Sequence, residues 1–196
     1  MAPPLGPAAV HCRIEPALAL AFGVGGRGVF LVTTYCEKMQ SVPGLLGEAP
    51  LIGASIWEDK MSFARVYWAN DLSIRMKCFS QPPNNNLISG VQALSVAVNS
   101  KYIFWLASSN DGFVIGRANL DGTDIRPNFV KTGALNPPLL SANNEYVFWG
   151  DPKSTPRGGK LTSSIGRATV DGINVKPDFV TLSDSTIVGL GSGLID

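Results

Sequence analysis

Two arginines and two aspartates recur at a fixed spacing, and their side chains are the ones best suited to chemistry. Arg117 recurs as Arg167 and Asp121 recurs as Asp171, both at an offset of 50 residues. Repeated carboxylates could hold a divalent cation, and repeated guanidinium groups could bind an anion. Each has a structural alternative that we favour. An aspartate before glycine commonly accepts hydrogen bonds from its own turn, and a buried arginine is usually paired inside the protein.

A third group of charged residues lies between the two repeats. The segment 151–164, DPKSTPRGGKLTSS, is rich in proline, glycine and lysine, which predicts a long exposed loop. Its positive charges are Lys153, Arg157 and Lys160. We expect this loop to contact a protein partner or a small ligand.

No catalytic constellation accompanies these residues. His11 is the only histidine, and no GxSxG motif is present, which argues against a nucleophilic triad. The three cysteines are widely spaced and match neither a disulfide framework nor a zinc pattern. Net charge is +1 without runs of like charge, so nucleic acid is not indicated as a partner. The sequence implies no cofactor. The turn aspartates could bind calcium, but no other feature of the sequence supports a calcium site.

The repeated residues sit in a conspicuous internal repeat. The segment 115–130, IGRANLDGTDIRPNFV, returns at 165–180 as IGRATVDGINVKPDFV, with nine of sixteen positions identical. Both copies contain an Asp-Gly turn, at Gly122 and at Gly172. A repeat at this period indicates an architecture of stacked units. Before each unit stands an aromatic residue followed by tryptophan, at Trp68, Trp105 and Trp149. These tryptophans could stack on sugars. Their place on strands with two apolar faces instead predicts that they pack between units.

Each unit reads as four short strands joined by tight turns. The third strands carry alternating small residues, such as Gly116 and Ala118, which we expect to let a neighbouring unit approach closely. The fourth strands carry Pro127 and Pro177, and proline belongs on the edge of a sheet. Arg75 is the expected counterpart of Arg117 in the first unit. Repeated four-stranded antiparallel sheets that cover one another and expose one edge predict an all-β protein of the β-propeller class.

The motifs IGRANLDG, residues 115–122, and YWAN, residues 67–70, resemble the YWTD repeat of low-density-lipoprotein-receptor-type β-propellers, in particular bacterial members. The resemblance covers about residues 49–196. It implies six blades in a closed ring, contact with other proteins, and an extracellular or cell-envelope location. The run 16–32 is too interrupted by charge and glycine to be a clear signal peptide or a membrane span.

The blades are expected at about 49–90, 91–133 and 134–182, with the start of another at 183–196. Residues 1–48 are a degenerate N-terminal blade or a leader. Three clear blades make an incomplete or short ring, so self-association could complete it. We expect a non-enzymatic module for protein or ligand binding or scaffolding. The alternatives are a metal-dependent lactonase- or lyase-like enzyme on a six-bladed propeller, and a truncated propeller without independent function.

Overall fold

The strands in the described part of the chain form four antiparallel sheets, here called blades 1 to 4. The computed structural model describes residues 19–23, 29–33, 36–41, 53–58, 64–70, 72–78, 84–134, 139–153, 162–185, 187 and 190. Blade 1 contains β1 (Ala19–Gly23), β2 (Val29–Thr33) and β3 (Cys36–Ser41), and blade 2 contains β4 (Gly53–Glu58), β5 (Ala64–Asn70), β6 (Ser73–Cys78) and β7 (Asn84–Ser89). Blade 3 contains β8 (Ala93–Val98), β9 (Tyr102–Ser109), β10 (Gly112–Asn119) and β11 (Arg126–Lys131), and blade 4 contains β12 (Leu139–Ala142), β13 (Tyr146–Lys153), β14 (Thr162–Thr169) and β15 (Lys176–Ser183).

Within each blade the strands follow one another in chain order as an up-and-down meander. The first strands of consecutive blades lie side by side, β1 against β4, β4 against β8 and β8 against β12. The last strands, β7, β11 and β15, are sheet edges. The blades therefore fan out from a common inner side, as in a β-propeller. The all-β class and the four-stranded antiparallel blades predicted from the sequence are confirmed.

Local sequence explains the turns between these strands. The Asp-Gly turns place Gly122 at φ 83° and Gly172 at φ 85°, a region that glycine adopts without steric cost. Pro127 lies in β11 and Pro177 in β15, both on sheet edges, where the missing N–H removes no ladder hydrogen bond. The edge position predicted from the prolines is thus correct.

The glycines of the third strand serve a different purpose from the one expected, whereas Ala118 and Ala168 lie completely buried in the contacts between blades. Gly116 pairs directly with Trp105 across the β9–β10 ladder, and a Cβ on Gly116 would lie 2.1 Å from Cε2 of that indole. Gly166 and Trp149 repeat the arrangement at the same 2.1 Å. The glycine therefore makes room for a tryptophan of its own sheet, not for a neighbouring blade. Because the indole lies flat over its own ladder, the tryptophan can be almost completely buried, at 1% exposed for Trp105.

Two hydrophobic clusters hold three of the blades together. One joins Tyr67 and Ile74 of blade 2 to Trp105 of blade 3, and the other joins Phe104 of blade 3 to Trp149 of blade 4. All five side chains are at most 1% exposed. Trp105 and Trp149 thus face the preceding blade, and Tyr67 and Phe104 face the following one. Packing between blades, the role predicted for Trp105 and Trp149, accounts for their burial.

The register of blade 2 corrects one expected equivalence. Arg75 pairs with Trp68, as Gly116 pairs with Trp105, so it does not correspond to Arg117. The residue that does correspond is Met76, which pairs with Tyr67. The sequence offset misled because blade 2 lacks the Asp-Gly turn that fixes the alignment elsewhere.

Candidate functional site

Arg117 lies inside the contact between blades 3 and 4. The residue is 5% exposed, and its guanidinium carbon stands 4.2 Å from the ring centroid of Tyr102 and 4.5 Å from that of Phe129. Nη2 donates to Oδ2 of Asp124 at 3.2 Å. A guanidinium held between two rings and an acid is the arrangement of a structural cation, because every face of it is already in contact with protein.

The remaining contact of Arg117 crosses to the next blade. Nη1 donates to the main-chain carbonyl of Val170 at 3.0 Å, in the turn between β14 and β15. The amide of Val170 is bonded to the Glu145 carbonyl of its own blade at 3.0 Å. This turn residue is therefore satisfied on one side by its own sheet and on the other by the preceding blade.

Blade 2 makes the same contact with a different donor. The hydroxyl of Tyr67 donates to the carbonyl of Leu120 at 3.3 Å, and Leu120 stands 50 residues before Val170. In blade 2 the cross-strand pair is Tyr67 with Met76, and in blade 3 it is Phe104 with Arg117. The donor has moved from the second strand to the third, while the acceptor has stayed in place. We call this contact the turn-carbonyl bridge.

A glycine accompanies each bridge. A Cβ on Gly172 would lie 2.8 Å from two ring carbons of Phe129, and one on Gly122 would lie 2.6 Å from the carbonyl oxygen of Leu87. Phe129 and Leu87 are equivalent residues of the edge strands β11 and β7, since each directly precedes a buried residue, Val130 or Ile88. The Asp-Gly turn is thus pressed against the preceding blade, and glycine is required there by close approach as well as by its positive φ.

The repeated aspartates cap their own turns. Oδ1 of Asp121 accepts from the amide of Thr123 at 3.0 Å and from its hydroxyl at 2.6 Å, and these bonds hold the pKa of Asp121 below its ordinary value. The hydroxyl of Thr169 donates to Asp171, which is the main cause of the lowered pKa of that carboxyl. Asp124 has its pKa lowered chiefly by the hydrogen bond from Arg126, with a smaller effect of Arg117.

A groove of about 470 Å³ opens on the outer rim between blades 3 and 4. One wall is the edge strand from Arg126 to Phe129, and the other is the turn at Asp171 and Gly172. Half of the Arg126 side chain is exposed, at 54%. The groove therefore combines an aromatic ring, a half-exposed arginine that is already paired with Asp124 at 3.1 Å, and a carboxylate, which suits an extended peptide carrying both apolar and charged groups.

The exposed loop predicted over residues 151–164 is wrong at both ends, because Asp151 and Ser163 lie in strands and are at most 4% exposed. β13 runs to Lys153 and β14 begins at Thr162, so the loop joins these two strands. Arg157 and Lys160 fall outside the described residues. Across the part of the chain that the structure describes, no group of three or more His, Cys, Asp or Glu side chains is close enough to hold a metal ion. The same residues include no helix with the length and apolarity to cross a membrane.

Two groups in the contact between blades were not anticipated from the sequence. Tyr67 belongs to an aromatic pair in the sequence, and its hydroxyl is also a hydrogen-bond donor, to Leu120. Asn99 lies in the turn between β8 and β9. Its Oδ1 accepts from the amides of Lys101 and Tyr102, at 2.9 and 2.8 Å, and its Nδ2 donates to the carbonyl of Asn143 at 2.9 Å. The recurrence of Asn at 99 and 143, at equivalent turns, was the available signal.

Solved structures with the same fold are β-propellers. A nidogen–laminin complex is 22% identical, with a TM-score of 0.57, and the match covers 81% of this chain and 60% of that one. A putative TolB from Agrobacterium tumefaciens is 14% identical, with a TM-score of 0.57, over 81% of this chain and 59% of that one. The fold is a β-propeller. This chain spans about 60% of the length of the structures it matches. No protein-family model and no curated protein matches the sequence.

Proposed function

We propose that the chain is a non-enzymatic β-propeller module that binds a protein partner in the rim groove between blades 3 and 4. The observation that carries the proposal is the groove itself, whose wall is a sheet edge with a half-exposed arginine, Arg126, opposite Asp171. A peptide lying along it could pair a carboxylate with Arg126 and bury an apolar side chain against Phe129.

The repeated arginines support a binding rather than a catalytic reading. Arg117 is buried between blades, with Nη1 bonded to Val170 and Nη2 to Asp124, so its terminal nitrogens are not offered to a substrate. The aspartates of the repeats are occupied by their own turns. One of the similar structures is itself a protein complex, that of nidogen with laminin. The YWTD type of repeat and a ring of six blades remain part of this proposal.

The test uses a phage-displayed library of random peptides panned against the immobilised full chain. Peptides selected on the parent protein should bind Arg126→Glu at least ~10-fold more weakly, because the exchanged charge repels a carboxylate in the groove. Lys101→Glu, an exposed cation away from the groove, is the matched control and should bind them unchanged. Failure to enrich any peptide over a blocked surface would refute the proposed function.

A second variant separates the groove from the loop. Lys153→Glu, Arg157→Glu and Lys160→Glu together reverse the charge of the loop joining β13 to β14. If this triple variant loses the peptides while Arg126→Glu keeps them, the loop is the contact surface and the groove is not. Calcium titration by calorimetry addresses the enzyme alternative, because tight binding that depends on Asp121 or Asp171 would favour a lactonase- or lyase-like site.

A further inference from the structure

Blade 4 presents to solvent the same face that blade 3 buries against blade 4. We call it the open face and define it by five residues, Phe148, Ile165, Arg167, Phe179 and Val180. Their equivalents in blade 3, from the strand register, form the contact with the next blade: Phe104, Ile115, Arg117, Phe129 and Val130.

Exposure separates the two faces. Val130 is 2% exposed, whereas Val180 is 37% exposed and Phe179 is 42% exposed. Phe104 and Ile115 are completely buried, while Phe148 and Ile165 are only partly buried. Residues of the same type, on the same strands, thus differ only in whether a following blade covers them.

The polar groups of the open face are already arranged for a partner. The Arg167 guanidinium carbon stands 4.6 Å from the Tyr146 ring centroid and 3.9 Å from that of Phe179, repeating the sandwich around Arg117. Within the described residues, however, it has no carbonyl acceptor like that of Val170. Asn143 likewise uses Oδ1 in its own turn, where it accepts from the amides of Glu145 and Tyr146. Within the described residues, its Nδ2 has no carbonyl acceptor in a following blade, whereas Nδ2 of Asn99 donates to the carbonyl of Asn143.

The chain itself leads onto this face. The hydroxyl of Ser163 donates to the carbonyl of Ser185 at 2.7 Å, and Ile187 packs on Gly150, where a Cβ would meet its Cγ2 at 3.1 Å. Gly150 occupies the position of Leu106, which contacts blade 4 from blade 3. Residues 185 and 187 therefore lie where the chain would enter a further blade.

We propose that the open face binds one further four-stranded blade of this same repeat, with Arg167 donating to its turn carbonyl. The contact would be a third turn-carbonyl bridge, after those made by Tyr67 and Arg117. The occupant must carry a carbonyl at the position of Val170, to accept from Arg167, and a turn carbonyl at the position of Asn143, to accept from Nδ2 of Asn143 itself. It must also carry glycine at the position of Gly172, because a Cβ there would overlap the ring of Phe179. The inference rests on the ring of further blades that the proposed function includes, but it can fail separately, because the peptide groove lies between blades 3 and 4 and not on the open face.

The test inserts a copy of residues 134–183 after Ser183 in the full chain, which preserves the period of 50. Cys12, Cys36 and Cys78 are replaced by serine, and Val180→Cys reports on the open face through its alkylation rate. The copy should slow alkylation of that cysteine at least tenfold relative to the chain without the insertion. An equal rate in the two proteins would overturn the proposal.

Two controls keep the outcome specific. A copy whose own Gly172 is changed to Leu should restore fast alkylation, because that side chain prevents close approach; continued protection would overturn the proposal. Arg167→Met should lower the urea midpoint more in the inserted chain than in the parent. A copy that trypsin removes while the parent blades stay intact would count against the proposal.

Sedimentation of the parent chain tests a second copy as the occupant of the open face. A dimer that Arg167→Glu abolishes would also count against the proposal.

Discussion

The turn-carbonyl bridge can be tested by exchanging the two forms that this chain already contains. Arg117→Met gives blade 3 the third-strand residue of blade 2, and Phe104→Tyr supplies the hydroxyl that blade 2 uses. The single change Arg117→Met removes the donor to Val170 and leaves that carbonyl without its partner from blade 3. The double variant places a tyrosine hydroxyl where Tyr67 stands in blade 2.

The magnitude follows from the contacts of Arg117. A hydrogen bond from a charged donor contributes about 1.5–3 kcal/mol. Contact with two rings adds about 1 kcal/mol, and the pair with Asp124, whose side chain is 43% exposed, adds less than about 1 kcal/mol. Methionine regains part of this by packing on the rings. We therefore expect Arg117→Met to cost about 2–4 kcal/mol of unfolding free energy.

Phe104→Tyr alone should also destabilise, by about 1–2 kcal/mol, because a buried hydroxyl would compete with Arg117 for one carbonyl. In the Arg117→Met background the same change should instead restore about 1 kcal/mol. Urea unfolding followed by tryptophan fluorescence gives all four corners of the cycle. A cost of less than about 0.5 kcal/mol for Arg117→Met, or a double variant no more stable than Arg117→Met, would show that the turn-carbonyl bridge does not stabilise the contact between blades.

Three further outcomes follow from the described contacts. Gly116→Ala should cost about 1–3 kcal/mol in urea unfolding, because its Cβ would overlap the Trp105 indole; a neutral effect would place that ring elsewhere. Pro127→Val should change stability by less than about 0.5 kcal/mol, since β11 is a sheet edge; a large gain would mean its N–H joins a ladder. Because the pKa of Asp124 is lower in the folded protein than its ordinary value of 3.8, ionised Asp124 stabilises the fold at pH above 3.8. This stabilisation is lost as the pH falls through the pKa of the folded protein. Asp124→Asn should therefore flatten the acid side of the stability profile, and an unchanged acid limb would contradict this.

Much of the fold could be read from the sequence because the signals were local. Asp-Gly at 121 and 171 marked turns that need a positive φ, and proline at 127 marked a sheet edge. These rules depend on backbone geometry within a few residues, so they hold without knowledge of the tertiary structure. The fold class followed from repeating them at a fixed period.

The contacts between blades could not be read in the same way. The role of Gly116 depends on which residue lies opposite it, and that depends on register. The equivalence of Met76 with Arg117 was hidden for the same reason, since only the pairing with Tyr67 reveals it. The donor of the turn-carbonyl bridge is on the second strand in blade 2 and on the third strand in blade 3, so the two donors do not recur at the spacing of the repeat. The acceptor, a main-chain carbonyl, leaves no sequence signal at all.

Equivalent faces of blades 3 and 4 differ only because the face of blade 3 is covered by a following blade. The most direct measurement compares alkylation of Val130→Cys and Val180→Cys, each in a chain whose three native cysteines are serine. We expect the cysteine at 130 to react at least ~100-fold more slowly than the cysteine at 180, because it reacts only when the blades separate. Equal rates, whether both fast or both slow, would contradict it.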